Sequence, residues 1–131
     1  MDKVKEKKLL KKYSKIFAQH KWSPTKTAMC WGLEVGNGWY DLIDKLCENI
    51  QHYVNTHKQE QIQATQVKQK FGGLRFYYRP YNKIVDIFVN VAMNDSVKTC
   101  ESCGSTESVT MTKGWISPLC KNCMKNHMEK K

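Results

Sequence analysis

Two cysteine pairs in the last third of the chain constrain the fold more than any other feature. They are Cys100-Glu101-Ser102-Cys103 and Cys120-Lys121-Asn122-Cys123, separated by sixteen residues. A C-x2-C loop aims two sulfurs at one point, and two such loops supply the four thiolates of a tetrahedral zinc site. Cys100, Cys103, Cys120 and Cys123 are therefore read as ligands of one Zn2+ ion. With every position filled by protein, no place is left for water, and the site is structural, not catalytic. Paired disulfides and a redox dithiol are the competing readings. Neighbouring C-x2-C cysteines rarely make good structural disulfides, and a redox motif needs a single pair.

A segment as short as 99–131 forms little core, so zinc replaces one. The expected arrangement is treble-clef or zinc-ribbon-like. Cys103-Gly104 makes a tight knuckle, Val109–Thr112 and Trp115–Ser117 pair around Lys113-Gly114, Pro118 ends the hairpin, and Cys120 opens a helix. Trp115 is placed to shield one side of the metal, and Lys121 and Lys125 offset the negative charge of four thiolates. His127 is a spare donor that four cysteines make unnecessary. Some nucleases use a similar module but require a histidine base in the hairpin. Between Cys103 and Cys120 there is neither His nor Asn, while Asn122, Asn126 and His127 follow it. The chain is read as non-catalytic.

Residues 1–98 read as a separate helical and hairpin domain on which the module packs. Leu9, Leu10, Tyr13, Ile16, Phe17 and His20 recur at helical spacing and predict an amphipathic helix over 3–20, with Lys8, Lys11 and Lys15 opposite. The Trp22–Gly38 stretch reads as an ordered loop with a short strand through Met29–Val35, and Cys30 as a small buried hydrophobe. A second helix is expected from Asn37-Gly38, capped by Asn37, with Tyr40, Ile43, Leu46, Cys47, Ile50, Tyr53 and Val54 inward. Ile62, Ala64 and Val67 are inward candidates on a strand. Lys68–Tyr78 then reads as that strand's end, a reversal at Gly72-Gly73 and a second strand. The glycines beside Lys68, Lys70 and Arg75 can instead cradle a phosphate. Ile84, Ile87, Phe88, Val91 and Ala92 mark a third helix ending near Val97. The fold class is α+β: three helices, a small antiparallel sheet and the C-terminal zinc module.

The net charge of +10 is concentrated at the ends. Residues 1–26 hold nine lysines against Asp2 and Glu6, 27–112 are nearly neutral, and 113–131 hold five lysines against Glu129. That layout suits a polyanion or an acidic protein surface, and equally a merely solvated face. The N-terminal residues are charged and lack a signal-peptide run, and no stretch approaches a membrane span, so a cytoplasmic address and no membrane partner are expected. Reduced, metal-holding cysteines agree with that address.

Three segments occur in a familiar order: Gly36-Asn37-Gly38-Trp39 opening a helix, Val67-Lys68-Gln69-Lys70-Phe71-Gly72-Gly73-Leu74-Arg75-Phe76-Tyr77, and the two cysteine pairs with Gly114-Trp115 between them. Over roughly 30–123 the chain resembles a family of small phage- and prophage-encoded proteins of unknown function. The resemblance implies a viral or mobile-element origin, a bacterial host cytoplasm and a zinc site. It supplies no catalytic residues, and the basic first helix lies outside it.

Two functional readings follow. One is a nucleic-acid-binding accessory protein using Lys7, Lys8, Lys11, Lys15, Lys68, Lys70, Arg75, Lys121 and Lys125, with the aromatics of Lys68–Tyr78 stacking on bases. A half-buried sheet produces the same alternation without any ligand. The other reading is a protein that binds and inhibits or redirects a host protein, such as a defence-system component. No small-molecule substrate is evident.

Overall fold

The computed structural model describes residues 1–129, so the last two residues of the expected 99–131 module lie outside the described part. The strongest apolar stripe makes the longest helix, α2 (Tyr40–Thr56). It buries Ile43, Leu46, Cys47, Ile50 and Val54, with Tyr40 and Tyr53 packed at the margin. Its entry is a 3-10 turn over Asn37–Trp39, and Asn37 does not cap it. The Asn37 side-chain oxygen instead accepts the Asp2 amide at 2.6 Å.

Helix α1 (Lys3–Lys12) is shorter than its apolar stripe. Asp2 caps its start, accepting the Lys5 amide at 2.8 Å. Beyond Lys12 two contacts outcompete further helix. The Tyr13 hydroxyl donates to the Asp44 carboxylate at 2.6 Å, and the Ile16 carbonyl accepts the Ala64 amide at 2.8 Å. Tyr13, Ile16 and Phe17 stay buried, carried inward by turns and a 3-10 segment (Ala18–Lys21). That shift takes Gln19, not His20, fully into the interior. Gln19 is satisfied there by Thr27, whose hydroxyl donates to it at 2.7 Å, and by Gln63 at 3.1 Å.

The sheet is mixed, not antiparallel. Its order is β1 (Leu33–Glu34), β2 (Gln63–Lys70), β3 (Gly73–Arg79). β1 lies parallel to β2, pairing Leu33 with Val67, whereas β2 and β3 form a hairpin. Ala64, Val67, Leu74 and Phe76 face the core. Lys70 pairs with Gly73, so the turn is Phe71-Gly72, one residue earlier than the paired glycines suggest. The core fixes this register, because a one-residue slip would turn every inward side chain outward. Phe71 and Gly72 both take positive φ, 54° and 84°, as a two-residue type I′ hairpin requires.

Helix α3 (Lys83–Ser96) is capped by Asn82, which accepts the Ile84 and Val85 amides. It packs on α2 and β3. The Ser96 hydroxyl locks it there, accepting the Leu74 amide at 2.8 Å and donating to the Met93 carbonyl at 2.6 Å. Its buried face runs through Val85, Ala92 and Ser96, with Phe88 and Val89 partly covered. Ile84, Ile87 and Val91, three of the apolar residues that mark this helix in the sequence, are exposed. In the C-terminal segment β4 (Thr110–Met111) pairs with β5 (Pro118–Leu119), and α4 (Lys121–Glu129) follows. The hairpin therefore closes further from its tip than expected, with Pro118 inside a strand and Trp115 in the loop. Among the described residues no helix is long and apolar enough to cross a membrane.

Cys47 is fully buried, and burial followed by the nearby Asp44 charge pushes its thiol far up. Cys30 is only half-buried, its thiol facing the Thr27 carbonyl at 3.3 Å. In native protein with the other cysteines metal-bound, iodoacetamide should modify Cys30 well before Cys47. Mass spectrometry of timed aliquots reads the order, and equal rates would contradict the burial of α2's inner face.

Candidate metal centre

The four cysteines come from two local structures of the same kind. In each, the amide of the second cysteine points at the first sulfur: Cys103 N–H to Cys100 Sγ and Cys123 N–H to Cys120 Sγ, both at 3.5 Å. The first loop is closed by the Gly104 amide on the Cys100 carbonyl at 2.9 Å, with Gly104 at φ 87°. The second is the entry to α4, where the Met124 amide meets the Cys120 carbonyl at 2.8 Å. All four sulfurs lie within 4.8 Å of one another, and Cys103 and Cys120 approach to 3.6 Å. Four soft donors so arranged can hold one metal ion.

The cluster is prepared unevenly for ionisation. Burial raises the Cys100 thiol, but the amides of Cys120, Cys103 and Ser102 together outweigh it and leave the group at about 7. Burial and then the facing sulfurs of Cys120, Cys100 and Cys103 push Cys123 up to about 12. At Cys103 the Ser105 amide pulls downward, yet burial and the sulfurs of Cys120 and Cys100 prevail and the thiol is raised. Cys100 is thus shifted towards the thiolate while Cys103 and Cys123 are shifted towards the protonated thiol, whose protons a bound cation would displace.

Small apolar contacts enclose the site: Leu119 with Cys100 and Cys120, and Val109 and Met124 beside them. Trp115 does not shield it, being 83% exposed on the hairpin loop. The Thr112 hydroxyl holds this loop, donating to the Trp115 carbonyl at 2.5 Å and accepting the Ser117 amide at 2.9 Å. His127 lines the same cavity of about 560 Å³ as Cys123 but stands outside the four-sulfur set.

Sequence reasoning missed the residue that joins this centre to the rest of the fold. The Glu101 carboxylate accepts the Gly36 amide at 2.9 Å, the Ser117 hydroxyl at 2.7 Å and the Gln69 amide group at 3.1 Å. Its backbone accepts the Gly38 amide at 2.7 Å and donates to the Pro118 carbonyl at 2.8 Å. Nothing about a C-x2-C spacer distinguishes Glu101 from Ser102. The paired glycines of Gly36-Asn37-Gly38 did carry a signal. A methyl on Gly38 would collide with the Cys100 carbonyl oxygen and the Gly104 amide, so only glycine lets the knuckle approach.

The lysines predicted to bind nucleic acid do not form one cluster around the metal. Lys7, Lys8 and Lys11 are exposed on α1, and Lys15 on the turn after it. Lys121 and Lys125 are exposed on α4. Arg75 sits opposite Lys68 across the hairpin, with its guanidinium against the Met93 sulfur. Lys68 lies 6.0 Å from the Tyr77 ring centre, and Lys70 lies 5.6 Å from that of Phe71. In the glycine turn the Gly72 amide donates to the Gln69 side-chain oxygen at 3.2 Å. Protein-family models, curated proteins and solved structures yield no match to this chain.

Two outcomes follow. Replacing Glu101 with Ala strands three donors at once, the Gly36 amide, the Ser117 hydroxyl and the Gln69 side-chain amide, and should cost about 2–4 kcal/mol, read by urea unfolding. A change within experimental error would remove Glu101 from its joining role. Metal affinity should rise with pH, because Cys103 and Cys123 must lose protons to bind. Each unit of acidification below neutrality should weaken it by at least about tenfold, measured by chelator competition. A flat profile would exclude thiolate ligation.

Proposed function

We propose that this chain is a small, non-catalytic, phage-type accessory protein whose C-terminal module is held by one structural Zn2+ ion and which binds nucleic acid. The four convergent sulfurs carry the zinc half of the reading. A tetrahedral ZnS4 unit with bonds of about 2.3 Å has sulfur–sulfur edges of about 3.8 Å. The 3.6 Å approach of Cys103 and Cys120 matches that scale. The order of knuckle, hairpin and helix is that of a treble clef. The nucleic-acid half is supported by the exposed cations of α1 and α4 and by the net charge of +10. The phage assignment is supported by the ordered motifs of residues 30–123.

One observation favours the second reading, a host-protein partner. Ile84, Ile87 and Val91 are exposed at helical spacing on α3, and Val91 borders an apolar groove floored by Leu46, Phe88 and Ala92. Such a stripe suits a protein surface better than a polyanion.

The tests separate these halves. Purified protein should contain one zinc per chain, and replacing Cys120 and Cys123 together with Ser should unfold the module. Less than half an equivalent of metal, or undiminished stability, would sink the zinc assignment. Binding to labelled DNA and RNA should fall steeply with salt, and reversing the charge of Lys8, Lys11 and Lys15 should flatten the log–log slope by roughly 2–3. If wild-type protein ignores nucleic acid at low salt while Ile87→Asp abolishes a nuclease-resistant complex with a host protein, the second reading replaces the first.

A further inference from the structure

The β2–β3 hairpin tip and the loop of the cysteine module meet in a way that leaves two large rings in solvent. Gly72 lies under Met111 and Ile116, and the Gln69 side-chain amide donates to the Ile116 carbonyl at 2.5 Å. This contact brings Phe71 and Trp115 to one groove of about 710 Å³, whose walls also carry Lys68 and Lys70. Phe71 is 72% exposed and Trp115 83% exposed, so neither ring contributes much to the core.

Phe71 is an unusual choice for its position. The first residue of a type I′ turn has positive φ and is normally Asn, Asp or Gly, because a Cβ is strained there. Phenylalanine accepts that strain at φ 54° without gaining burial. Backbone strain that packing does not repay is the kind retained for a ligand. The Lys70 ammonium lies 5.6 Å from the centre of the Phe71 ring, so a cation and an aromatic group adjoin on the groove, and Lys68 lines it as well. One carboxylate on the groove, Glu101, is already occupied by three donors. The other, Glu34, pairs in register with Lys68 across the parallel strands.

We propose that this groove binds single-stranded nucleic acid, with Phe71 and Trp115 stacking on unpaired bases and Lys68 and Lys70 meeting the phosphates. Rings this exposed suit unstacked bases, which a duplex does not offer, and adjacent lysines match the charge of the backbone. The inference rests on the nucleic-acid reading above but names a different surface from α1 and a narrower ligand class.

The test uses zinc-loaded full-length protein and fluorescence anisotropy with labelled oligo-dT, oligo-rU and mixed-sequence duplex, each of about twelve nucleotides. Phe71→Asn and Trp115→Ala should each weaken single-strand binding by about tenfold and duplex binding by less than about twofold. Trp115→Phe, which keeps a stacking face, should retain most of the affinity. Asn suits the turn, so Phe71→Asn should melt no lower than wild type, which separates loss of the ligand from loss of the fold. The dT and rU arms report whether a DNA or an RNA strand is preferred. If the Phe71→Asn/Trp115→Ala double variant binds single strands like wild type while reversal of Lys8, Lys11 and Lys15 abolishes binding, the groove is overturned and the nucleic-acid reading stands. Tighter binding to duplex than to either strand overturns the ligand class. No binding by wild type at low salt overturns both.

Discussion

The contact between the first cysteine knuckle and the Gly36–Trp39 turn is the one on which the rest of the architecture depends. Both the backbone and the side chain of Glu101 make it: its carbonyl accepts the Gly38 amide and its carboxylate the Gly36 amide. Trp39, fully buried, then anchors its indole N–H on the Thr99 carbonyl at 3.0 Å, one residue before the first candidate ligand. The same turn starts α2, the helix that buries more core residues than any other described element. Through Glu101 the knuckle also reaches β2 and the loop preceding β5. A few donors and acceptors therefore fix helix, sheet and cysteine cluster relative to one another. Hydrophobic burial stabilises each part but lacks the direction to set that geometry.

The elements legible from sequence are those whose information is local. α2 declared itself through an uninterrupted 3.6-residue stripe, and the hairpin through alternation on either side of a glycine pair. The cysteine quartet was legible because spacing alone makes two sulfurs converge. What stayed hidden depends on distant partners. The end of α1 at Lys12 is decided by Asp44 and Ala64, remote in sequence from the residues they capture. The parallel pairing of β1 involves two residues, too few for any periodic signal.

Two further differences share a cause. Ile84, Ile87 and Val91 are at helical spacing, but spacing identifies a face without saying whether protein or solvent lies against it. The small residues Ala92 and Ser96 let α3 approach α2 and β3 on another face. Trp115 likewise was assigned to the metal because large apolar groups usually seek cover, whereas the Thr112 hydroxyl holds its loop. In both places large apolar side chains stay exposed outside the core.

The joining role of Glu101 gives the cysteine cluster influence well outside its own few residues. Any ion that binds the folded cluster and not the unfolded chain adds stability as the logarithm of its free concentration over its dissociation constant. Because the knuckle also positions the start of α2 and the edge of β2, that added free energy is shared by the whole chain. The surrounding metal buffer, as much as temperature or denaturant, then sets what fraction of molecules is folded. A cell short of an ion that the cluster binds would hold the same polypeptide in a different balance of states, so the protein's lifetime would follow the supply of that ion.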